Sequence, residues 1–249
     1  MFSPSRRLRT CSVNTPGTTQ ETARTGDAKP YKVFGKYHSA FLDGPVIQSA
    51  YHRALQGGHA FDRALRAVEH AARCRPTVVM SYWEPVKEHG PERLARGFAD
   101  AGAAGVMVVD LPHESAASWR QIAAGVGLTT PRLVPREATD RQLQSISSSA
   151  SGWLYAPANP APTGYRGHLN LRNLSTAVRR LRATSPLPIV SGVGISTPDR
   201  AVAVAPLVDA IVIGTPIVRA LDQGPDAAGR LTAAFAQPLR SAPIGTSAA

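Results

Sequence analysis

The residues with the plainest chemistry stand near the carboxyl end of the chain, where Gly192-Val193-Gly194 and Gly214-Thr215-Pro216 each follow a short apolar run. A glycine turn lets backbone N–H groups come close to an anion, and the amino terminus of a following helix adds about half a positive charge. Pro188 to Val190 reads as a strand. Ser196 or Thr197 then caps a helix, with Pro198 in its first turn and Asp199 just inside it. Val208 to Ile213 is almost continuously apolar and suits a parallel strand buried on both faces. One such turn would serve only as a tight connection. Two of them, at the carboxyl ends of successive parallel strands and the second feeding a short helix, match the way (β/α)8 barrels hold phosphate. The chemistry expected is capture of a phosphate group.

The elements that must position these turns follow a regular alternation. Helices are expected over Val46–Leu55 and Phe61–Cys74, the second with Phe61, Leu65, Val68 and Ala72 on one face. Thr77–Tyr82 reads as a strand, Pro91–Ala101 as a helix and Gly105–Asp110 as a strand. Ser115 opens a helix running to about Val126, Arg132–Val134 is a short strand, and Thr139 opens a helix to about Ser147. Gly152–Tyr155 is a strand, Leu171–Ala183 a helix, and Asp226–Phe235 a final helix. Strands alternating with helices at this rhythm imply a parallel sheet. Six strands are clear from Thr77 onward, with a further short one at Tyr31–Gly35. A closed barrel needs eight, so the expectation is an α/β fold, a (β/α)8 TIM barrel whose first strand–helix unit is degraded or missing. The expected division is a polar, basic extension over 1–29, read as loop or disordered, and a barrel domain over 30–249.

The 249 residues suffice for one such barrel, which takes about 250. The net charge of +11 raises the possibility of a nucleic-acid partner, but its distribution argues otherwise. Between Met1 and Lys36 seven basic residues face two acidic ones, and elsewhere the arginines stand singly, without the interleaved aromatics of a single-strand binder. No apolar run approaches the roughly 18 residues of a membrane span, and the amino terminus lacks the apolar core of a secretory signal. Two cysteines, Cys11 and Cys74, and no CxxC pair fit a reducing cytosol. The seven histidines show no HxH or HxxxH spacing, so no metal site is expected.

Four stretches then stand in a telling order: Asp43-Gly-Pro-Val-Ile-Gln48, Met80-Ser-Tyr-Trp-Glu-Pro85, Val108-Val-Asp110-Leu-Pro112, and Gly192-Val-Gly-Ile-Ser196 continuing to Gly214-Thr-Pro-Ile-Val218. Through them residues 43 to 237 resemble the alpha subunit of tryptophan synthase. The resemblance implies a cytoplasmic lyase of tryptophan biosynthesis, without metal or organic cofactor, that cleaves indole-3-glycerol phosphate to indole and glyceraldehyde 3-phosphate. It also implies a beta chain as partner in an alpha2-beta2 heterotetramer. In that reaction C3 of the indole gains a proton, the ring N–H is held, and a glyceryl hydroxyl loses its proton as the C–C bond breaks, which is work for paired carboxylates. By the same resemblance Asp43 engages the indole nitrogen and Tyr155 is the active-site tyrosine. Thr163 and Gly164 belong to a mobile loop that closes on the substrate. Gly164, Gly192, Val193, Gly194, Gly214 and Thr215 hold the phosphate, Thr215 standing for a serine and Val193 for a phenylalanine. Met80, Tyr82, Met107, Val109 and Thr163 form the indole pocket. Each also has a plain structural role open to it: an Asp before Gly-Pro is a common turn residue, and strand methionines and tyrosines are common core. Asp110, ending its strand, either orients neighbouring backbone or serves the site.

Two departures stand out against the family pattern. A second catalytic glutamate, about eleven residues before the aspartate, should fall at Lys32 or Val33, and no glutamate lies between Thr22 and Asp43. Loss of one acid–base group typically lowers a rate by about 10²–10⁴. Three readings stay open: a gene start that misses the functional amino terminus, a divergent paralogue acting as an inactive binding or regulatory partner of a beta subunit, or rescue by Glu84, expected to end its strand and face the site. The second departure is Asn159-Pro-Ala-Pro-Thr163, which replaces a loop that carries a serine–arginine pair in the family.

Overall fold

In a computed structural model, residues 42–56 and 58–241 are described. The strand expected at Tyr31–Gly35, the extension over 1–29 and the Lys32–Val33 position of the missing glutamate lie outside the described residues. The chain falls into two compact units, one ending at Thr130 and the other starting at Pro131.

The first unit runs α1 (Pro45–Gln56), α2 (Ala60–Ala72), β1 (Val78–Ser81), α3 (Trp83–His89), α4 (Pro91–Asp100), β2 (Gly105–Val108) and α5 (Ala116–Gly125). β1 and β2 pair in parallel, with Met80 opposite Met107 and Ser81 opposite Val108. Successive strand residues face opposite ways, and one set, Val79, Val106 and Val108, packs into the core with Leu94, Phe98 and Trp119 from α4 and α5. The apolar stripe expected on α2 does face this core: Val68 is buried within it, and the ring of Phe61 meets that of Phe98 edge-on at 5.5 Å. Gly105 carries no side chain for a local reason. A Cβ there would lie 2.7 Å from the carbonyl oxygen of Thr129, to which Gly105 bridges in parallel.

The second unit runs β3 (Arg132–Leu133), α6 (Asp140–Ser148), β4 (Leu154–Pro157), α7 (Leu171–Thr184), β5 (Ile189–Gly192), α8 (Pro198–Val204), a single 3₁₀ turn (Ala205–Leu207), β6 (Ala210–Ile211), α9 (Thr215–Leu221) and α10 (Pro225–Ser241). Its four strands are parallel and neighbour one another in chain order, each pair joined through helix. Helix starts are where residue type demands them. Thr139 and Gln142 form a reciprocal capping box, Asn170 caps α7, and Thr197, rather than Ser196, caps α8 with Pro198 behind it. Asp209 fixes the entry to β5, accepting from Ile189 N at 2.8 Å and from Arg182 Nη1 at 3.2 Å.

Some sequence expectations are corrected. Ser115 precedes α5 but its side chain makes no capping bond. The strand expected over Val208–Ile213 pairs regularly only at Ala210–Ile211, the next residue adding a bond from Val212 N to Ser191 O at 2.7 Å. The last helix extends past Phe235 to Ser241, with Pro238 inside it. Helix α3 was not expected: it begins directly after Tyr82 and places Glu84 in its first turn, not at a strand end.

Candidate active site

In the second unit the expected phosphate residues converge. β5 ends at Gly192, and Ser191, fully buried beside it, donates from Oγ to the Ala156 carbonyl at 2.7 Å. Gly192 has no room for a side chain, because a Cβ would collide with the Tyr155 hydroxyl and lie 3.1 Å from the Val212 carbonyl. Val193 follows with φ +61° and Gly194 with φ +83°. A β-branched residue in the left-handed region costs on the order of 1–3 kcal/mol and persists only where its surroundings enforce it. Among the described residues the N–H groups of Val193, Gly194, Gly214 and Thr215 donate to no backbone carbonyl in the turns and loops. Because α9 has only seven residues, those donors, more than any helix dipole, are what the second turn offers. Gly164, at φ +87°, abuts the same place: a Cβ on it would lie 3.3 Å from Thr215 Cγ2. Thr163 is half-buried next to it.

Tyr155 lies inside β4 and not at its end, buried beneath Gly192. Burial raises its phenol well above the ordinary value, so it stays a protonated donor.

In the first unit Asp43 precedes α1, and Tyr82 and Gln48 are among the residues that organise it. The Tyr82 hydroxyl donates to its carboxylate, and Gln48 Nε2 donates to its backbone carbonyl at 2.7 Å. Burial, and then the negative charge of Asp43, raise the phenols of both Tyr82 and Tyr51 above their usual value. The two rings lie 6.3 Å apart. Strand register brings the expected apolar wall together. Met80 pairs with Met107, Val109 N donates to Ser81 O at 3.0 Å, and alternation puts Tyr82 and Val109 on the same side as the two methionines. That side is opposite to the valines packed on α4 and α5. Among the described residues no three His, Cys, Asp or Glu side chains gather as metal ligands would.

Comparison with known proteins decides the family. The sequence profile of the tryptophan synthase alpha chain matches residues 36–241. The tryptophan synthase alpha chain of Streptomyces avermitilis is 37% identical over 207 residues, 82% of this chain and 74% of that one. That of Streptomyces coelicolor is 37% identical over 212 residues, 84% and 78% of the two chains. A solved structure of tryptophan synthase from Mycobacterium tuberculosis superposes with a TM-score of 0.75 at 30% identity, covering 82% of this chain and 78% of that one. The chain belongs to the tryptophan synthase alpha chain family. With that membership come the α/β barrel fold class and a lyase role in tryptophan biosynthesis.

Against the family pattern two carboxylates of the first unit take on structural work. Asp110 accepts a hydrogen bond from Trp83 N at 2.6 Å and so caps the start of α3. Burial lifts its carboxyl above the usual range, opposed by that N–H and its own. Glu84 pairs with Lys87 Nζ at 2.5 Å along α3. Sequence reasoning placed Tyr82 in the indole wall and missed its hydroxyl on Asp43. It also passed over Tyr51, although Ile47 and Tyr51, four apart on α1, carried the signal of a shared inward face.

Proposed function

We propose that this chain cleaves indole-3-glycerol phosphate to indole and glyceraldehyde 3-phosphate, as a cytoplasmic partner of a tryptophan synthase beta chain. The observation that carries the reading is the Asp43 carboxylate, which holds the Tyr82 hydroxyl at the edge of the Met80–Met107 face. An acceptor beside an apolar wall suits an indole, whose flat ring is buried while its one N–H needs a partner. Asp43 accepts a hydrogen bond from that N–H and stabilises the positive charge that develops on the ring as C3 gains a proton, while the glyceryl hydroxyl gives one up and its carbon becomes the aldehyde as the C–C bond breaks. Tyr82 keeps the carboxylate aimed. In the second unit the N–H groups of Val193, Gly194, Gly214 and Thr215 hold the phosphate, with Gly164 close over Thr215. The Tyr155 hydroxyl, kept protonated by burial, donates near the reacting glyceryl chain. Among the described residues no helix is long and apolar enough to cross a membrane.

The experiment is indole release from indole-3-glycerol phosphate, with and without an added beta chain. Release that Asp43→Asn lowers by about 10²–10⁴ supports the reading. A second reading has one observation in its favour, the lack of any glutamate between Thr22 and Asp43. It makes the chain an inactive barrel that binds and regulates a beta chain. Retained binding of glycerol 3-phosphate with no indole release, alone or with the beta chain, would select it. Glu84→Gln tests the rescue: its ion pair with Lys87 predicts turnover equal to that of the parent chain.

A further inference from the structure

The segment 159–169, between β4 and α7, sits on the first glycine turn. At its start Ala158 N donates to the Gly192 carbonyl at 2.6 Å. Asn159 Nδ2 donates to the His168 carbonyl at 3.2 Å and closes the segment on itself. The space beside Gly194 is filled by Asn159, Tyr165 and Leu169. One charged side chain ties this arrangement down from α8. Arg200 Nη1 donates to the Gly194 carbonyl at 3.0 Å and Nη2 donates to the Arg166 carbonyl at 2.9 Å. A single planar guanidinium, its donors fixed relative to each other, therefore spans turn and loop. Its own backbone is held by the α8 cap, Arg200 N donating to Thr197 Oγ1 at 3.3 Å.

We propose that Arg200 is a positioning residue, the latch that keeps segment 159–169 seated over the Gly192–Gly194 turn. The inference rests on the reading of that turn as a phosphate site, and it accounts for how a loop without the family's serine–arginine pair is held. Engaging the Gly194 carbonyl also fixes the plane of the following peptide, and with it the left-handed turn that presents the Val193 and Gly194 N–H groups.

Arg166 is exposed, so the bond to Gly167 reports directly on loop release as a tryptic site. In the full chain, mass spectrometry follows cleavage at Arg166–Gly167 for the parent and for Arg200→Ala, Arg200→Lys and Thr197→Ala. Calorimetry follows binding of inorganic phosphate and glycerol 3-phosphate. Arg200→Ala is expected to speed cleavage at that bond about tenfold, as a shift in the loop-opening equilibrium does when closing is fast, and to weaken glycerol 3-phosphate binding to a similar degree. Arg200→Lys, which keeps a cationic donor, recovers a large part of both. Thr197→Ala removes the helix cap and lowers stability but leaves both guanidinium bonds, so its cleavage stays within about twofold of the parent. Equal cleavage in parent and Arg200→Ala overturns the latch, and so does a Thr197→Ala variant that opens as readily as Arg200→Ala. A parent that binds neither phosphate ligand, yet is cut in the Arg200-dependent way, supports the latch and overturns the phosphate reading.

Discussion

Asp43 shows how little of a site need be visible in one residue. An aspartate before Gly-Pro is an ordinary turn residue, and in the chain only the family resemblance of Asp43–Gln48 marks it otherwise. Its distinction comes from Tyr82, 39 residues on, whose hydroxyl it holds. Tyr82→Phe keeps the ring in the wall and removes only that donor. On the role proposed for Asp43, the expected result is a fall in indole release of about tenfold, the effect of one charge-assisted hydrogen bond lost at that carboxylate, against the larger loss for Asp43→Asn. A Tyr82→Phe variant as active as the parent would show that Asp43 is aimed without the Tyr82 hydroxyl. Val193 poses the opposite case, a residue whose type disfavours its conformation. Val193→Gly removes a left-handed strain of about 1–2 kcal/mol and adds about 0.5–1 kcal/mol of chain entropy on unfolding. Thermal or urea unfolding should therefore show a variant at least as stable as the parent, where most core-turn substitutions destabilise.

At the scale of elements, the signals that sequence carries locally were legible and those that depend on a distant partner were not. Thr139, and Ser196 or Thr197 before Pro198, mark helix starts locally, and the structure places α6 and α8 there, with Thr197 the cap of α8. Helix α3 has no such local start: Tyr82 makes no side-chain capping bond, Pro85 interrupts the pattern, and the cap is Asp110, 27 residues away. Ser115 is the converse, a good capping residue that does not cap. The packing of β4 against β5 gives an element-scale prediction. Gly192→Ala forces a methyl group into the Tyr155 hydroxyl and the Val212 carbonyl, at a cost of about 1–3 kcal/mol or more. In Tyr155→Phe the hydroxyl is gone and part of that clash with it. A double-mutant cycle on unfolding free energy should give a coupling of about 0.5–3 kcal/mol, the double variant being more stable than the sum of the singles. Additive losses would mean that the Val212 carbonyl alone dictates the glycine.

For the molecule as a whole, the alternation of strand and helix, the six strands from Thr77 onward and the family were all readable from pattern and motif, since burial periodicity and turn glycines act over a few residues. The division at Thr130–Pro131 was not, because no run of linker composition marks it. Nor were the polar contacts from Tyr82 to Asp43 and from Arg200 to Arg166, which join residues 39 and 34 apart. One global property follows from contacts of this kind. Three of the chain's six tyrosines, Tyr51, Tyr82 and Tyr155, have phenols raised above the ordinary value of 10.0, by burial in each case and by the Asp43 charge in the first two. In the native state these phenols keep their protons at a pH where the unfolded chain has lost them. The native state then binds more protons than the unfolded one, so unfolding free energy falls as pH rises. The loss begins near pH 10, where the unfolded phenols start to ionise, and grows by about 1.4 kcal/mol per pH unit for each fully protonated phenol. Following phenolate absorbance with pH should show these three tyrosines ionising only together with loss of native circular dichroism. Tyr51→Phe should flatten the alkaline slope by about one phenol's share. Smooth ionisation of all six tyrosines near pH 10, with structure intact, would show that the three rings are open to solvent and would remove the basis for treating Tyr155 as a held donor.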